Sequence, residues 1–351
     1  MTTTARPRVV VCAPLMGADI SPVRAFEPAV EVVDGNAAFG AYHAAGRSGD
    51  AGQIAKADAD LRGILADADA VCMAIPVLKD VVDMAPKMRW LHHTNAGVSN
   101  LWVCDAWQAE HVMITSGRGY VRPTAMAEYI IAGAFLFSRG MHEAYADKAL
   151  GKLQRGAGRL LRIEGATMGV VGLGGIGQEV ARLSKALGMR VVATRRSAES
   201  RQENADGADV LLPANELKTL AAESDFIAVC TQLTPETEHL IDADVIGAMK
   251  PGAVIINVSR GETIDEIALI DALNNERLHG AVLDVYEGET DGKPPRPELM
   301  AARNLMLTPH ISTGGDGGPS RNLFMEIFCE NLRRFIVNEP LLNVVDRARG
   351  Y

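Results

Sequence analysis

The segment Thr167-Met-Gly-Val-Val-Gly-Leu-Gly-Gly-Ile-Gly-Gln178 decides the fold of this chain. An apolar run leads directly into a Gly-x-Gly-x-x-Gly pattern, and apolar residues then recur at helical spacing as far as Leu187, just before Gly188. Such glycines suit a tight turn, a close backbone approach to a pyrophosphate and close helix–strand packing. The segment therefore predicts a dinucleotide-binding βα unit. Its predicted cofactor contacts are Gly172, Leu173, Gly174, Gly175, Ile176 and Gly177.

The turn after the following strand predicts which dinucleotide is bound. A cofactor with a free ribose 2′-hydroxyl usually meets an acidic residue about 20 residues after the first glycine. This chain has Thr194, Arg195, Arg196 and Ser197 there, and its first carboxylate after the strand is Glu199. Guanidinium groups bind a 2′-phosphate through charge-assisted, bidentate bonds. We predict NADP(H); the alternative is a solvated basic turn in an NAD(H) enzyme.

Composition narrows the class of protein and its compartment. The chain has 351 residues, 48% hydrophobic and 23% charged, which is long enough for two domains with separate cores. A net charge of −9 argues against nucleic acid or an anionic membrane as the main partner. The five cysteines are far apart and odd in number, which favours reduced thiols and predicts neither disulfides nor a metal site. We see no signal peptide and no apolar stretch of membrane-spanning length, and expect a soluble, cytoplasmic protein.

Short apolar runs alternate with helical patterns along the chain, which is typical of parallel sheets covered on both faces. We therefore predict an α/β fold with two Rossmann-like or flavodoxin-like parallel-sheet domains and a cleft between them. A helix is expected over Thr124–Leu150, and another over Ser320–Val337. The predicted strands are Val9–Ala13, Ala70–Ile75, Trp90–His93, Val112–Thr115, Met168–Leu173, Arg190–Thr194, Phe226–Cys230, Ala253–Val258, Ala281–Val285 and Leu305–Thr308.

Polar residues at the ends of three of these strands could carry chemistry. Arg260 and His310 each follow a predicted strand, and Glu287 and Glu289 follow a third. Hydride transfer to a 2-oxo acid needs a cation for the carboxylate, a proton donor for the carbonyl oxygen and a group that tunes the donor. A lone histidine or arginine is more often structural. The three positions at one sheet edge favour the functional interpretation and leave both glutamates open as the partner of His310.

With these segments, the chain resembles a known family, the D-isomer-specific 2-hydroxyacid dehydrogenases. The resemblance covers nearly the whole chain, including Asn95–Val98 and Ala127–Ile130 in the first half. The matching segments in the second half occur in the family's order and spacing: Gly172–Gly177, Leu233–Thr237, Met249–Gly252, Asn257–Gly261, Leu283–Glu287 and Leu307–Ile311.

The resemblance implies a role for each candidate. Arg260 would bind the substrate carboxylate, and His310 would be the acid/base. The family's spacing selects Glu289, five positions after Asp284, rather than Glu287, although Thr290 stands where the family usually has proline. The implied cofactor contacts in this half of the chain are Cys230, Thr231, Thr237, Val258, Ser259, Arg260, Asp284 and His310. The implied substrate contacts are Ala96, Gly97, Val98, Arg260 and His310.

The expected domains are a substrate (catalytic) domain of residues 1–118 and 311–351 and an NADP-binding domain of residues 119–310. The resemblance implies a homodimer, with residues 124–150 as its arm. We expect no further C-terminal regulatory domain of the kind found in longer phosphoglycerate dehydrogenases.

The paired arginines resemble NADPH-preferring glyoxylate/hydroxypyruvate reductases of the family. The leading hypothesis is therefore NADPH-dependent, reversible reduction of a small 2-oxo acid to the D-2-hydroxy acid. One alternative is an NAD-dependent dehydrogenase with another substrate range. The other is a cofactor-sensing binding protein without enzymatic activity, since the family includes transcriptional corepressors.

Overall fold

The computed structural model describes residues 6–13, 20–119, 123–152, 160–313 and 323–350. The chain divides into two compact units, Met1–Val121 with Asp316–Tyr351, and Arg122–Gly315. The domain boundaries predicted from the sequence lie after residues 118 and 310. Each unit contains one sheet of its own.

The first unit is built on a five-stranded, wholly parallel sheet in the order β2-β1-β3-β4-β5. Every residue of β3 and β4 is buried, as expected for strands that are covered on both faces. The strands are β1 (Arg8–Cys12), β2 (Glu31–Asp34), β3 (Ala70–Met73), β4 (Trp90–His93) and β5 (Met113–Ser116). The helices are α1 (Ser21–Arg24), α2 (Asn36–Ser48), α3 (Ala51–Leu65), α4 (Val81–Met84) and the C-terminal α12 (Leu323–Ile336).

The C-terminal helix packs on this first sheet. Met325, Phe328 and Leu332 are buried in one cluster with residues of β1 and β4. The ring of Phe328 stacks on Trp90, with 5.1 Å between centroids. The helix predicted from the apolar face of residues 320–337 is confirmed over Leu323–Ile336.

The second unit has an eight-stranded sheet in the order β13-β12-β11-β10-β6-β7-β9-β8. All pairs are parallel except β8 with β9. The strand order reverses at β6, which is where such sheets bind their ligands. The strands are β6 (Thr167–Val171), β7 (Arg190–Arg195), β8 (Gln202–Glu203), β9 (Val210–Pro213), β10 (Phe226–Val229), β11 (Val254–Asn257), β12 (Gly280–Leu283) and β13 (Leu305–Leu307).

Seven helices of the described residues cover this sheet or extend from it. They are α5 (Pro123–Ser138), α6 (Met141–Ala149), α7 (Gly175–Ala186), α8 (Leu217–Glu223), α9 (Ala243–Ala248), α10 (Glu266–Asn274) and α11 (Pro297–Met300). The α/β fold with parallel-sheet domains is confirmed. In the described ranges, no helix is both long and apolar enough to cross a membrane.

The single helix predicted over Thr124–Leu150 is wrong. The chain forms α5 and α6 instead, separated at Gly140, whose φ of +63° belongs to the left-handed region. The two helices differ in burial. Helix α5 contributes seven buried residues, whereas α6 contributes none.

All ten predicted strands are present, with ends that differ from the predicted ones by at most two residues. Three further strands escaped prediction, namely β2, β8 and β9. The segment 287–297 contains a 3₁₀ turn at Glu289–Asp291 and the start of α11.

Candidate active site

The glycine turn between β6 and α7 has the geometry that its sequence predicted. Gly172 has a φ of +96°, and a Cβ added there would lie 3.1 Å from the backbone of Thr231. A Cβ on Gly177 would overlap the carbonyl oxygen of Gly172, so this glycine is needed for close packing of helix on strand. A Cβ on Gly174 or Gly175 would meet nothing within 4 Å. The amino end of α7 therefore faces open space, as a pyrophosphate-binding turn requires.

The arginines after β7 lie beside this turn but differ in their contacts. Arg195 donates to the carbonyl oxygen of Leu173 through Nε at 3.0 Å and Nη2 at 2.9 Å. Its Nη1 forms an ion pair with Asp206 at 2.5 Å. Arg196 and Ser197 are exposed, and Thr194 is buried. A hydrogen bond from Thr234 and, more weakly, the charge of Arg196 lower the pKa of Glu236, which places Arg196 near that carboxylate.

The residues expected to line the cofactor follow β10 and β11. The N–H of Cys230 donates to the Val171 carbonyl, and Thr231 lies against Gly172. The Thr237 hydroxyl donates to the Gln232 carbonyl at 2.6 Å, which closes the loop after β10. Val258 is buried, and Ser259 donates to Asn257 through its N–H and its hydroxyl.

Arg260 and Gly261 join the end of β11 to the segment after β12. A Cβ on Gly261 would overlap the carbonyl carbon of Tyr286, so the two backbones are in direct contact. Arg260 donates through Nη1 to the Ser259 carbonyl at 2.7 Å. Burial lowers the pKa of Arg260, while the charges of Glu289 and Glu262 raise it. The guanidinium is thus a desolvated cation beside a carboxylate.

His310 and Glu289 form a direct pair. Nδ1 of His310 lies 3.0 Å from Oε1 of Glu289, and the two side chains are 32% and 20% exposed. A carboxylate on Nδ1 fixes the ring and leaves Nε2 for another partner. The imidazole is therefore oriented and also accessible.

Glu287 belongs to a different network. Its carboxylate pairs with Arg296 and lies 3.7 Å from Nε2 of His239. Its N–H donates to Glu266 at 2.6 Å, and Arg296 also donates to Glu266 at 2.7 Å. Burial raises the pKa of Glu266, while these two donors lower it. Glu287 and its partners therefore anchor the segment that carries Glu289, and His310 contacts Glu289 alone of the two candidates.

Asp284 contacts the chain around His310. Its carboxylate is fully buried and accepts hydrogen bonds from the Thr308 hydroxyl at 2.6 Å and from the N–H groups of Ile311 and Ser312 at 2.7 Å each. Its carbonyl accepts the N–H of His310 at 3.0 Å. His310 itself has a φ of +54°, which is uncommon for a residue other than glycine.

The structure thus brings Arg260, Glu289 and His310 together within the second unit. The predicted substrate residues Ala96–Val98 belong to the first unit, in the loop after β4, and Val98 is buried. Within the described residues, no group of three or more His, Cys, Asp or Glu side chains could hold a metal ion.

Sequence reasoning missed the residues that support this site. Tyr129 and Thr308 stand inside the family-like segments Ala127–Ile130 and Leu307–Ile311 but were given no role, and their contact joins residues 179 apart in sequence. Glu262, which accepts the N–H of Gly288 at 2.9 Å, was not considered either. Its position two residues after Arg260 is the signal that could have identified it.

Comparisons with known proteins identify the family of the chain. A family model described as "D-isomer specific 2-hydroxyacid dehydrogenase, NAD binding domain" matches residues 131–312. A glyoxylate reductase of Thermococcus litoralis is 32% identical over 80% of this chain and 84% of its own length. A hydroxypyruvate reductase of Thermotoga maritima is 30% identical over 72% of this chain and 80% of its own.

Three further matches concern chain length and fold. The chain spans about half the length of the D-3-phosphoglycerate dehydrogenases of Methanocaldococcus jannaschii and Synechocystis that it also matches. A crystal structure of a D-isomer specific 2-hydroxyacid dehydrogenase from Xanthobacter autotrophicus, in complex with NADPH and MES, superposes with a TM-score of 0.74 at 25% identity. That match covers 99% of this chain and 100% of the other. The chain belongs to the D-isomer-specific 2-hydroxyacid dehydrogenase family.

Proposed function

We propose that this protein reduces a small 2-oxo acid, of the glyoxylate or hydroxypyruvate type, to the D-2-hydroxy acid with NADPH, and that the reaction is reversible. The observation that carries the proposal is the Glu289–His310 pair at 3.0 Å in the same unit as Arg260 and the glycine turn. The names of the two reductases among its relatives support the substrate class.

The proposed mechanism divides the work among the chain's own residues. The amino end of α7 holds the pyrophosphate of the cofactor. Arg260 binds the substrate carboxylate and, because burial has removed part of its solvation, polarises the adjacent carbonyl strongly. When bound, the reduced cofactor supplies a hydride to the keto carbon.

His310 donates the matching proton to the carbonyl oxygen, which completes the hydroxyl group. Glu289 keeps the ring oriented and stabilises its protonated form before transfer. His310 then takes up a proton from solvent, which its partial exposure permits. In the reverse direction, the same ring accepts the proton of the hydroxyl group.

The NADPH preference rests on the basic turn after β7. Arg195 lies at the end of that strand, and Arg196 and Ser197 follow on the exposed side. Because Arg195 also holds the Leu173 carbonyl, we assign it two tasks, support of the glycine turn and attraction of the 2′-phosphate. We assign Arg196 to the second task as well. The crystal structure of a relative with NADPH supports this choice of cofactor.

A panel of 2-oxo acids assayed with NADPH and NADH tests the proposal. We expect Arg196→Ala to weaken NADPH use by about 10-fold and to leave NADH use unchanged. Arg195→Ala should weaken the use of both cofactors, because it also releases Leu173. Equal kcat/KM with both cofactors, unchanged in the double variant, would contradict the NADPH preference. Cofactor binding without reduction of any acid would favour the cofactor-sensing alternative.

We also propose a homodimer that forms through α6. Without a partner this helix buries none of its residues, and Tyr145 is 74% exposed, with Met141 and Leu150 exposed nearby. Aromatic residues and methionine are enriched at interfaces. Sedimentation should give a dimer that Tyr145→Glu dissociates. Ile267→Glu, which changes an exposed apolar residue of α10, is the control that should remain dimeric.

The five cysteines, all free in the described structure, support a reducing compartment, and we place the protein in the cytoplasm.

A further inference from the structure

A chain of hydrogen bonds runs from helix α5 to the backbone turn that carries His310. The hydroxyl group of Tyr129 lies 2.5 Å from Oγ1 of Thr308, which lies 2.6 Å from the Asp284 carboxylate. We propose that Tyr129 and Thr308 are positioning residues for His310, which act on the proton-transfer step through Asp284. This inference rests on the acid/base role proposed above for His310.

The direction of each bond follows from what the groups can donate. A carboxylate only accepts, so the single hydroxyl proton of Thr308 points to Asp284. The oxygen of Thr308 is then the acceptor for Tyr129, whose proton points to Thr308. Burial raises the pKa of Tyr129, the hydrogen bond with Thr308 lowers it in part, and the charge of Asp284 raises it further, so the net shift is upward and the phenol keeps this proton. The hydrogen bonds therefore run in one direction, from Tyr129 through Thr308 to the Asp284 carboxylate.

Asp284 connects these side-chain hydrogen bonds to the backbone around His310. Its two carboxylate oxygens accept hydrogen bonds from the N–H groups of Ile311 and Ser312, the residues directly after His310. Its carbonyl oxygen accepts the N–H of His310 itself. These bonds hold the turn on both sides of a residue with a left-handed backbone conformation. Such a conformation persists only where surrounding contacts over-determine it. Loss of the Thr308 donor would leave a buried carboxylate short of one bond, at a cost that movement of the turn would relieve.

The geometry also separates this role from that of Glu289. Glu289 contacts the imidazole ring directly at 3.0 Å, whereas the Thr308 hydroxyl bonds to Tyr129 and Asp284. The direct contact of Thr308 with His310 is between backbone groups, the Thr308 carbonyl and the His310 N–H at 3.0 Å. Their effect on His310 must therefore pass through Asp284 and the backbone. This predicts that the hydroxyl group of residue 308, rather than its shape, matters for the position of the ring.

The test compares Thr308→Val, which removes the hydroxyl at nearly constant shape, with Thr308→Ser, which keeps it. The protein is labelled with ¹³C-histidine, and its eight histidines are titrated by NMR, with the His310 signal assigned from His310→Gln. We expect Thr308→Val to shift the titration midpoint of His310 and to lower kcat by about 10- to 100-fold with little change in KM for NADPH. Thr308→Ser should restore both values to within about threefold of wild type.

Tyr129→Phe should have a smaller effect on kcat, about 3- to 10-fold, in the same direction. Tyr42→Phe, which changes a half-buried tyrosine of the first unit, should match wild type in both readouts. An unchanged His310 titration in Thr308→Val would overturn the inference, as would equal impairment in Thr308→Ser. A wild-type protein that reduces no acid would contradict the proposed function instead, and the NMR titration would still decide the inference.

Discussion

His92 and His310 are histidines of the same chain, associated with the parallel sheets of the two units, but their surroundings differ. His92 is fully buried in β4, and its Nδ1 lies 2.8 Å from the Thr115 hydroxyl. Burial, with a smaller contribution from His93, lowers the pKa of His92 to about 3. His310 is 32% exposed and has a carboxylate 3.0 Å from Nδ1. The difference teaches that the surroundings of a histidine, namely solvent access and a neighbouring carboxylate, decide whether it is suited to the proton-donor role proposed for His310.

The largest effect that this comparison predicts is at His310. His310→Gln should lower kcat by about 10³-fold or more, because the carboxylate of Glu289, which remains, has no proton to donate in place of the imidazole. NADPH binding, followed by its fluorescence, should be unchanged. His92→Gln, assayed beside it at pH 7.5, should retain nearly full kcat. Comparable loss in both variants would erase the proposed distinction between the two histidines.

The next largest effect is expected at Glu289, the carboxylate that contacts His310. Glu289→Gln should lower kcat by about 10- to 100-fold, because an amide does not stabilise the protonated ring. Reduction requires that ring to be protonated, so the high-pH limb of the kcat profile should move to lower pH.

Glu287→Gln is the matched control, two residues away and bonded to Arg296 instead. We expect it to change kcat by less than about fivefold and to leave the pH limb in place, because its carboxylate contacts Arg296 and His239 and not the ring of His310. A shifted profile in Glu287→Gln with a wild-type profile in Glu289→Gln would reverse the assignment.

The smallest effect concerns stability in acid. Because the pKa of folded His92 is about 3 and that of an unfolded histidine is 6.5, only the unfolded chain takes up this proton between those values. The free energy of unfolding therefore falls as the pH drops through this window, and by about 2 kcal/mol at pH 5. His92→Gln should lose less stability than wild type between pH 7 and pH 5.

Urea unfolding followed by tryptophan fluorescence measures this effect, because Trp90, Trp102 and Trp107 all lie in the first unit. His111→Gln, at an exposed position of the same unit, should keep the wild-type pH dependence. A His92→Gln protein with that same dependence would show that burial of His92 carries no cost in acid.

Much of the fold could be predicted from the sequence, because buried parallel strands are continuous apolar runs. Strand β2 was missed since its two valines stand between Glu31 and Asp34, and β8 has only two residues. The break at Gly140 was missed because a single glycine is also tolerated inside helices.

The candidate site could be predicted only in part. Arg260, Glu289 and His310 stand in motifs with recognisable spacing, and the structure brings them together, while their roles stay predictions. The contact of Tyr129 with Thr308 depends on how α5 packs on the sheet, and no local pattern encodes it. The bonds of Arg195 to Leu173 were unforeseen for the same reason, since a guanidinium can reach several partners from one backbone position.

Gly261 limits how this protein can be redesigned for other substrates. Its backbone touches the Tyr286–Glu287 peptide so closely that no side chain fits between them. This contact fixes the position of the proposed carboxylate-binding Arg260 relative to the segment that leads to Glu289. A point mutation therefore cannot move one of them without the other. Variants that accept 2-oxo acids of other sizes must then differ at residues outside these two segments, while the segments themselves stay unchanged.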